Sequence, residues 1–244
     1  MSEQRLEANG ICVEFDGVRA LHEATVEVRR GEIMGLIGPN GAGKTTLVNA
    51  ISGYQNFSRG RVTIDGVDAS SWTAPARARG GVVRTFQAVR VFRELTVREN
   101  IELGAIGVGS SSASGTALAD ELMEMLDLHS QADVAAGNLS YGYQRRLGIA
   151  RSLAAKPQYL LLDEPAAGLS EEESVVMSHV LRDIRDEFGC GMLLIEHDMP
   201  LVMGICDRIT VLNFGEILAT GTPAEIRNNR SVVEAYLGSE VTNA

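Results

Sequence analysis

A chain of 244 residues with 45% hydrophobic side chains is long enough to bury a sizeable core and too apolar to be disordered. Its formal net charge of −10 leaves no basic face to displace counterions from a nucleic-acid backbone or an anionic lipid surface, so no nucleic-acid partner is expected. No apolar run approaches the ~18–20 residues of a membrane span, and the polar start Met1–Arg5 is unlike a signal peptide, so the expectation is a cytoplasmic protein linked to any membrane through a partner.

From Leu6 to Phe15 apolar residues alternate around Asn9-Gly10, which reads as a turn; Ala24, Val26 and Val28 alternate again, and Arg61–Ile64 adds a strand closed by Asp65-Gly66. These predict an antiparallel patch with one wet face. Phe15 stands in it, close enough in such a topology to stack on a nucleotide base, although an aromatic at a strand end is by itself more often core. Cys12, Cys190 and Cys206 have no paired metal spacing and read as reduced thiols, two of them buried.

The apolar run Ile33–Ile37 leads into Gly38-Pro39-Asn40-Gly41-Ala42-Gly43-Lys44-Thr45-Thr46 and then a helical pattern: strand, glycine loop, helix start. A backbone stripped of Cβ atoms can turn its N–H groups toward a phosphate at the positive end of a helix. Lys44 can then reach the β- and γ-phosphates, and the Thr45 hydroxyl can ligate the Mg²⁺ that bridges them. By chance, Gly-x4-Gly-Lys-[Ser/Thr] would arise in about one chain in a hundred of this length.

Beyond Trp72 the chain turns polar, then reaches the strand-like Val82–Gln87, whose terminal amide can touch a metal or an attacking water. Thr96-Val97-Arg98-Glu99 is a capping box that opens a helix. The Ser- and Gly-rich stretch 104–115 reads as a mobile loop, and the helical pattern resumes over Leu118–Leu128, with His129 at the surface. Together these predict a helical sub-domain, about 88–155, inserted into an α/β core. Leu139-Ser140-Tyr141-Gly142-Tyr143-Gln144 then opens a helix with Ser140 as its N-cap, a second anion site or simply a capped buried helix. One nucleotide should not need two such helix ends from one subunit.

Tyr159–Leu162 reads as a fully buried strand ending in Asp163-Glu164-Pro165, where α/β sheets bind ligands. Asp163 can hold Mg²⁺ through water, and Glu164 can take a proton from an attacking water. Ser170–Glu173 is a further capping box, for a helix to about Glu187. Met192–Ile195 is the next buried strand; it ends in Glu196-His197-Asp198, which sets His197 at the same sheet edge as the carboxylates. Thr222–Glu225 and Ser231–Glu234 read as caps of two C-terminal helices.

The ordered set GPNGAGKTT, Phe86-Gln87, LSYGYQ, LLLDEP and IEHD resembles the nucleotide-binding subunit of an ATP-binding-cassette (ABC) transporter over essentially the whole chain. The resemblance implies a P-loop core carrying an antiparallel sheet and a helical sub-domain, all one ATPase domain, with ATP and Mg²⁺ as ligands. It implies that Phe15 stacks the adenine, that Gly38 through Thr46 hold phosphates and Mg²⁺, and that Gln87 senses metal and water. Asp163 supports Mg²⁺, Glu164 is the general base and His197 contacts the γ-phosphate. It also accounts for the second helix end: two subunits pair head to tail, so that Ser140 and Gly142 of one cap the γ-phosphate held by the other, with Ala167–Ser170 crossing between them.

More narrowly, residues 81–100, LSYGYQRRLGIARSLA, DEPAAGL and 195–227 resemble the ATPase of branched-chain amino acid importers. This implies work at the cytoplasmic face of a membrane with two permease subunits, a second ATPase and an external substrate-binding protein. The permease groove is expected beside Gln87, lined by Val89, Val91, Phe92 and Leu95. Tyr141 and Tyr143 depart from the usual Leu-Ser-Gly-Gly-Gln signature, Tyr141 in a way common to the importer subgroup, and stretch 104–115 is shorter than the subgroup's. A lipid or drug exporter would have the same ATPase chemistry; a soluble regulatory ATPase usually has two cassettes or a long coiled-coil insertion, and neither is present here.

Overall fold

A computed structural model describes residues 4–86, 90–107 and 112–241. The chain opens with a hairpin of β1 (Arg5–Phe15) and β2 (Val18–Arg29) about Asp16-Gly17, both at positive φ (47° and 84°), the turn geometry that matches strand twist. Asn9-Gly10, read above as a turn, is instead a bulge within the single strand β1. Gly10 takes φ 62° and donates its amide to Thr25 Oγ1 at 3.0 Å, and the pairing shifts register between Ala8 and Ile11, so both apolar halves stay on one face. β3 (Ile33–Ile37) starts a second sheet and leads into α1 (Lys44–Ser52). β4 (Arg59–Ile64) and β5 (Val67–Asp68) return to the first sheet, whose antiparallel order is β2-β1-β4-β5.

A short helix that sequence reading missed, α2 (Ala74–Arg79), follows. Its Arg77 is buried and donates to the carbonyls of Ala50, Ile51 and Ser70, closing the C-terminal end of α1. β6 (Val82–Arg84) precedes three helices, α3 (Val97–Ile106), α4 (Ser112–Met125) and α5 (Tyr141–Leu153). The stretch 104–115 is therefore helical at both ends rather than a loop throughout; residues 108–111 lie outside the described residues. The Thr96 capping box is present in full. β7 (Tyr159–Asp163), α6 (Glu171–Phe188), β8 (Gly191–Ile195), α7 (Met199–Ile205), β9 (Arg208–Asn213) and β10 (Glu216–Gly221) complete the second sheet in the order β10-β9-β3-β8-β7-β6, parallel except at β10. α8 (Pro223–Arg227) and α9 (Arg230–Val241) end the chain. Thr222 caps α8 as expected, whereas α9 is capped by Asn229, whose side chain accepts from the amides of Ser231 and Val232, and not by Ser231.

Every residue of β3, β7 and β8 is buried, and alternate side chains enter two cores. Ile33, Ile37, Leu160, Leu162, Met192 and Leu194 pack with the helices α3 to α7. Met34, Leu36, Leu161, Leu193 and Ile195 pack with α1 and the antiparallel sheet. In-register pairing sets Leu36 and Asp163 opposite Ile195 from either side, so the chain leaves β3, β8 and β7 at one level of one sheet edge. Cys190 and Cys206 are buried as expected, their thiols pushed up to about 11 and about 12 by desolvation. Among the described residues no helix is long and apolar enough to cross a membrane.

Candidate active site

The glycine loop is shaped by close approach. Gly38 stands at φ 154°, and a Cβ there would lie 2.0 Å from the carbonyl oxygen of Leu212 on β9; at Gly43, φ 105°, it would lie 2.8 Å from that of Ala20 on β2. Gly43 occupies the N-cap of α1, where no side chain closes onto the helix and no acidic residue stands in the first turn, so the helix's positive end is open to an anion. Lys44 folds back over the loop, its Nζ donating to the carbonyls of Gly38 (2.6 Å) and Pro39 (3.0 Å). Its partial burial lowers the ammonium pKa, opposed by the nearby charges of Glu164 and Asp163, which bring the far side of the site within electrostatic reach. Thr45 is exposed beside it.

Asp163 ends β7 almost fully buried, with one carboxylate oxygen 2.6 Å from Arg84 Nη2. Arg84 also donates to Asn49 on α1, so a single guanidinium joins the helix of the phosphate loop to the strand of the carboxylates. Glu164 follows at φ 50°, a conformation costing on the order of 1 kcal/mol or more for a non-glycine residue. It is held on both sides: its amide donates to Ile195 at 3.0 Å and its carbonyl accepts from Arg145 of α5. His197 Nδ1 stands 3.9 Å from Glu164 Oε1, with the histidine side chain 68% exposed. Gln87 lies outside the described residues, as does Val89.

Ser140 takes the N-cap position of α5, yet its hydroxyl makes no hydrogen bond to the helix, contrary to the expected cap. Among the described residues no hydrogen bond joins Ser140 or Gly142 to the phosphate loop. Tyr141 accepts from Arg145 at 2.6 Å, with that guanidinium over its ring at 4.7 Å, which ties the first turn of α5 to the loop after β7. Tyr143 packs on the core beneath Arg146, giving the second departure from the usual signature a structural place. Phe15 is 45% exposed at the end of β1, free to receive a ring on its face.

Arg84, Arg145 and Glu196 are the site residues that sequence reading missed. The arginines gave no local signal, since their partners lie 79 and 19 residues away. Oxygen donors at Thr45 and Asp163 suit Mg²⁺, and among the described residues no cluster of three or more His, Cys, Asp or Glu could cage a metal. That donor set fits an ion carried in on phosphate oxygens. Beside the helices, Val91, Phe92, Leu103 and Arg151 line an open hollow of about 570 Å³. Leu95 does not line it; its carbonyl instead accepts from Ala136 at 2.8 Å. A wider hollow, about 700 Å³ over the antiparallel sheet at Glu7, Glu23, Arg59 and Arg61, contains none of the phosphate-loop residues, the two carboxylates or His197.

The profile of the ABC transporter family matches residues 21–167, and that of the branched-chain amino acid ATP-binding cassette transporter matches residues 216–242. The high-affinity branched-chain amino acid transport ATP-binding protein LivG of Salmonella typhimurium is 43% identical, across 98% of this chain and 99% of its own. BraF of Pseudomonas aeruginosa, of the same description, is 39% identical across the same shares, and the lipopolysaccharide export system ATP-binding protein LptB of Escherichia coli is 35% identical across 96% and 98%. The crystal structure of MJ1267, an ATP-binding cassette of an ABC transporter in its ADP conformation, superposes with a TM-score of 0.85 at 29% identity, covering 96% of this chain and 99% of that one. With the open phosphate loop, the paired carboxylates and His197 gathered at one sheet edge, the chain belongs to the ABC transporter family and is an ATPase cassette of it.

Proposed function

We propose that this cassette powers uptake of branched-chain or related hydrophobic amino acids through a separate membrane permease, from the cytoplasmic face. The observation that carries the chemistry is the meeting of Lys44, Asp163, Glu164 and His197 at the C-terminal edge of β3, β7 and β8. In this reading Gly38 through Thr46 cradle the phosphates of ATP, and Phe15 stacks on its adenine. Lys44 exchanges its two carbonyl partners for phosphate oxygens. Thr45, Asp163 and Gln87 hold Mg²⁺, which when bound offsets charge on the β- and γ-phosphates. Glu164 accepts a proton from the water that attacks the γ-phosphorus, and His197 donates to a γ-phosphate oxygen, leaving ADP and phosphate.

Ser140 and Gly142, at the uncapped end of α5, cap the ATP of a second cassette, head to tail. Residues 167–170 cross that interface. Closure expels water and completes each site, which turns ATP binding into a force on two attached permease subunits. The hollow at Val91, Phe92 and Leu103 would receive a short permease helix, and an external substrate-binding protein delivers the cargo. Support for the cargo comes from the relatives: LivG and BraF at 43% and 39% identity stand above the exporter cassette LptB at 35%, and the match at residues 216–242 is to the importer type.

Glu164→Gln tests the chemistry. The variant should bind ATP as the wild type does, because the loop and Lys44 are intact, and its hydrolysis should fall at least a hundredfold with loss of the base. Undiminished turnover would remove Glu164 from that role.

A further inference from the structure

One buried acid beside the site, Glu196, takes no part in the chemistry of ATP. Glu196 is the first residue after β8 and is 1% exposed. Its Oε1 accepts from the amide of Ala166 at 2.7 Å and its Oε2 from the amide of His197 at 3.1 Å. Among the described residues no Lys or Arg pairs with it, and His197 Nδ1 stands 3.9 Å from its Oε2. A carboxylate taken out of water this far is retained only if its oxygens are well satisfied, and here the donors are main-chain groups of two different loops.

Those loops carry the chemistry. Ala166 lies two residues beyond Glu164 and opens the turns that follow, with Ala167 donating to Glu164 and Leu169 to Ala166. His197 has an exposed ring whose Nδ1 stands 3.9 Å from Glu164 and from Glu196 alike, so its backbone sets its place. The segments after β7 and β8 are also tied at Glu164 to Ile195 and, from α6, at Ser174 to Asp198, but of these links only the Glu196 carboxylate holds the amide of His197 itself. We infer that Glu196 is a positioning residue for hydrolysis: by bridging the amides of Ala166 and His197 it fixes the histidine against the Glu164 loop. The inference rests on the ATPase reading of the site.

Glu196→Gln is nearly isosteric but offers one acceptor oxygen and an NH₂, so one backbone N–H loses its partner and meets a donor. The measurement is kcat, nucleotide Kd and melting temperature of the purified full-length chain with Mg-ATP, for Glu196→Gln, His197→Ala and the double variant. The expected result is Kd within twofold of wild type, kcat lowered at least tenfold by either single change, and no more than a further twofold loss in the double variant. A purely structural acid would give kcat per folded molecule near wild type with a lowered melting temperature, or independent losses that multiply in the double variant; either overturns the inference. Glu196→Asp, which keeps the charge but reaches only one amide, should lose kcat similarly, and it decides the matter if the Gln variant fails to fold. If His197→Ala alone turns over like wild type, the failure is of the site reading, and the path through His197 goes with it.

Discussion

Lys44, the proposed phosphate ligand, is already held in place by its own loop. Its ammonium is held over the loop by the carbonyls of Gly38 and Pro39, and partial burial depresses its pKa despite the carboxylates nearby. A cation withdrawn from water and held by two weak acceptors gains most when a dense anion replaces them. Lys44→Ala should therefore weaken ATP binding itself, by at least tenfold in Kd measured with a fluorescent nucleotide, whereas Glu164→Gln leaves Kd unchanged. Equal Kd values for wild type and Lys44→Ala would show that the loop amides alone bind the phosphates. Spacing and strand ends were enough to make Lys44, Asp163, Glu164 and His197 candidates, and the fold brings them to one sheet edge. Arg84, Arg145 and Glu196 were not legible in this way, because each acts on main-chain or side-chain atoms that only the folded sheet brings near.

At the scale of elements, the same distinction separates two helix ends that look alike in sequence. Thr96 closes α3 with a full capping box, accepting from Glu99 N at 3.2 Å, while Ser140 leaves its hydroxyl off the helix. Thr96→Ala should cost about 1 kcal/mol, a drop of roughly 2–4 °C in melting temperature for a chain of this size, with ATP affinity unchanged. Ser140→Ala should leave the melting temperature alone, since no intramolecular bond is lost. An equal drop for both would mean that Ser140 caps α5 in solution and is not held in reserve for a ligand. Buried strands and capping boxes were readable because periodicity and cap chemistry are local. The bulge at Gly10, the helix α2 and the cap of α9 were missed for complementary reasons. A glycine at φ 62° serves a turn or a bulge equally, α2 is held by a buried Arg77 reaching α1, and Asn229 competed with a Ser–Glu spacing that matches a box by coincidence.

For the whole molecule, the open end of α5 gains meaning only from a second cassette. One chain of 26.2 kDa presents both an uncapped α1 and an uncapped α5, and within it the latter makes no hydrogen bond to the phosphate loop among the described residues. Two copies arranged head to tail would use both ends twice, and trapping ATP with Glu164→Gln should hold them together. Light scattering of that variant with saturating Mg-ATP should give twice the monomer mass, and the monomer mass with ADP. Adding Ser140→Ala should return it to monomer while bound ATP stays stoichiometric, because the phosphate loop is untouched and only the cross-subunit cap is removed. A dimer that survives the Ser140 change would assign the contact to other surfaces. A chain that stays monomeric with ATP bound would instead require a second, different ATPase subunit as its partner, and mixing in that subunit should then restore the doubled site.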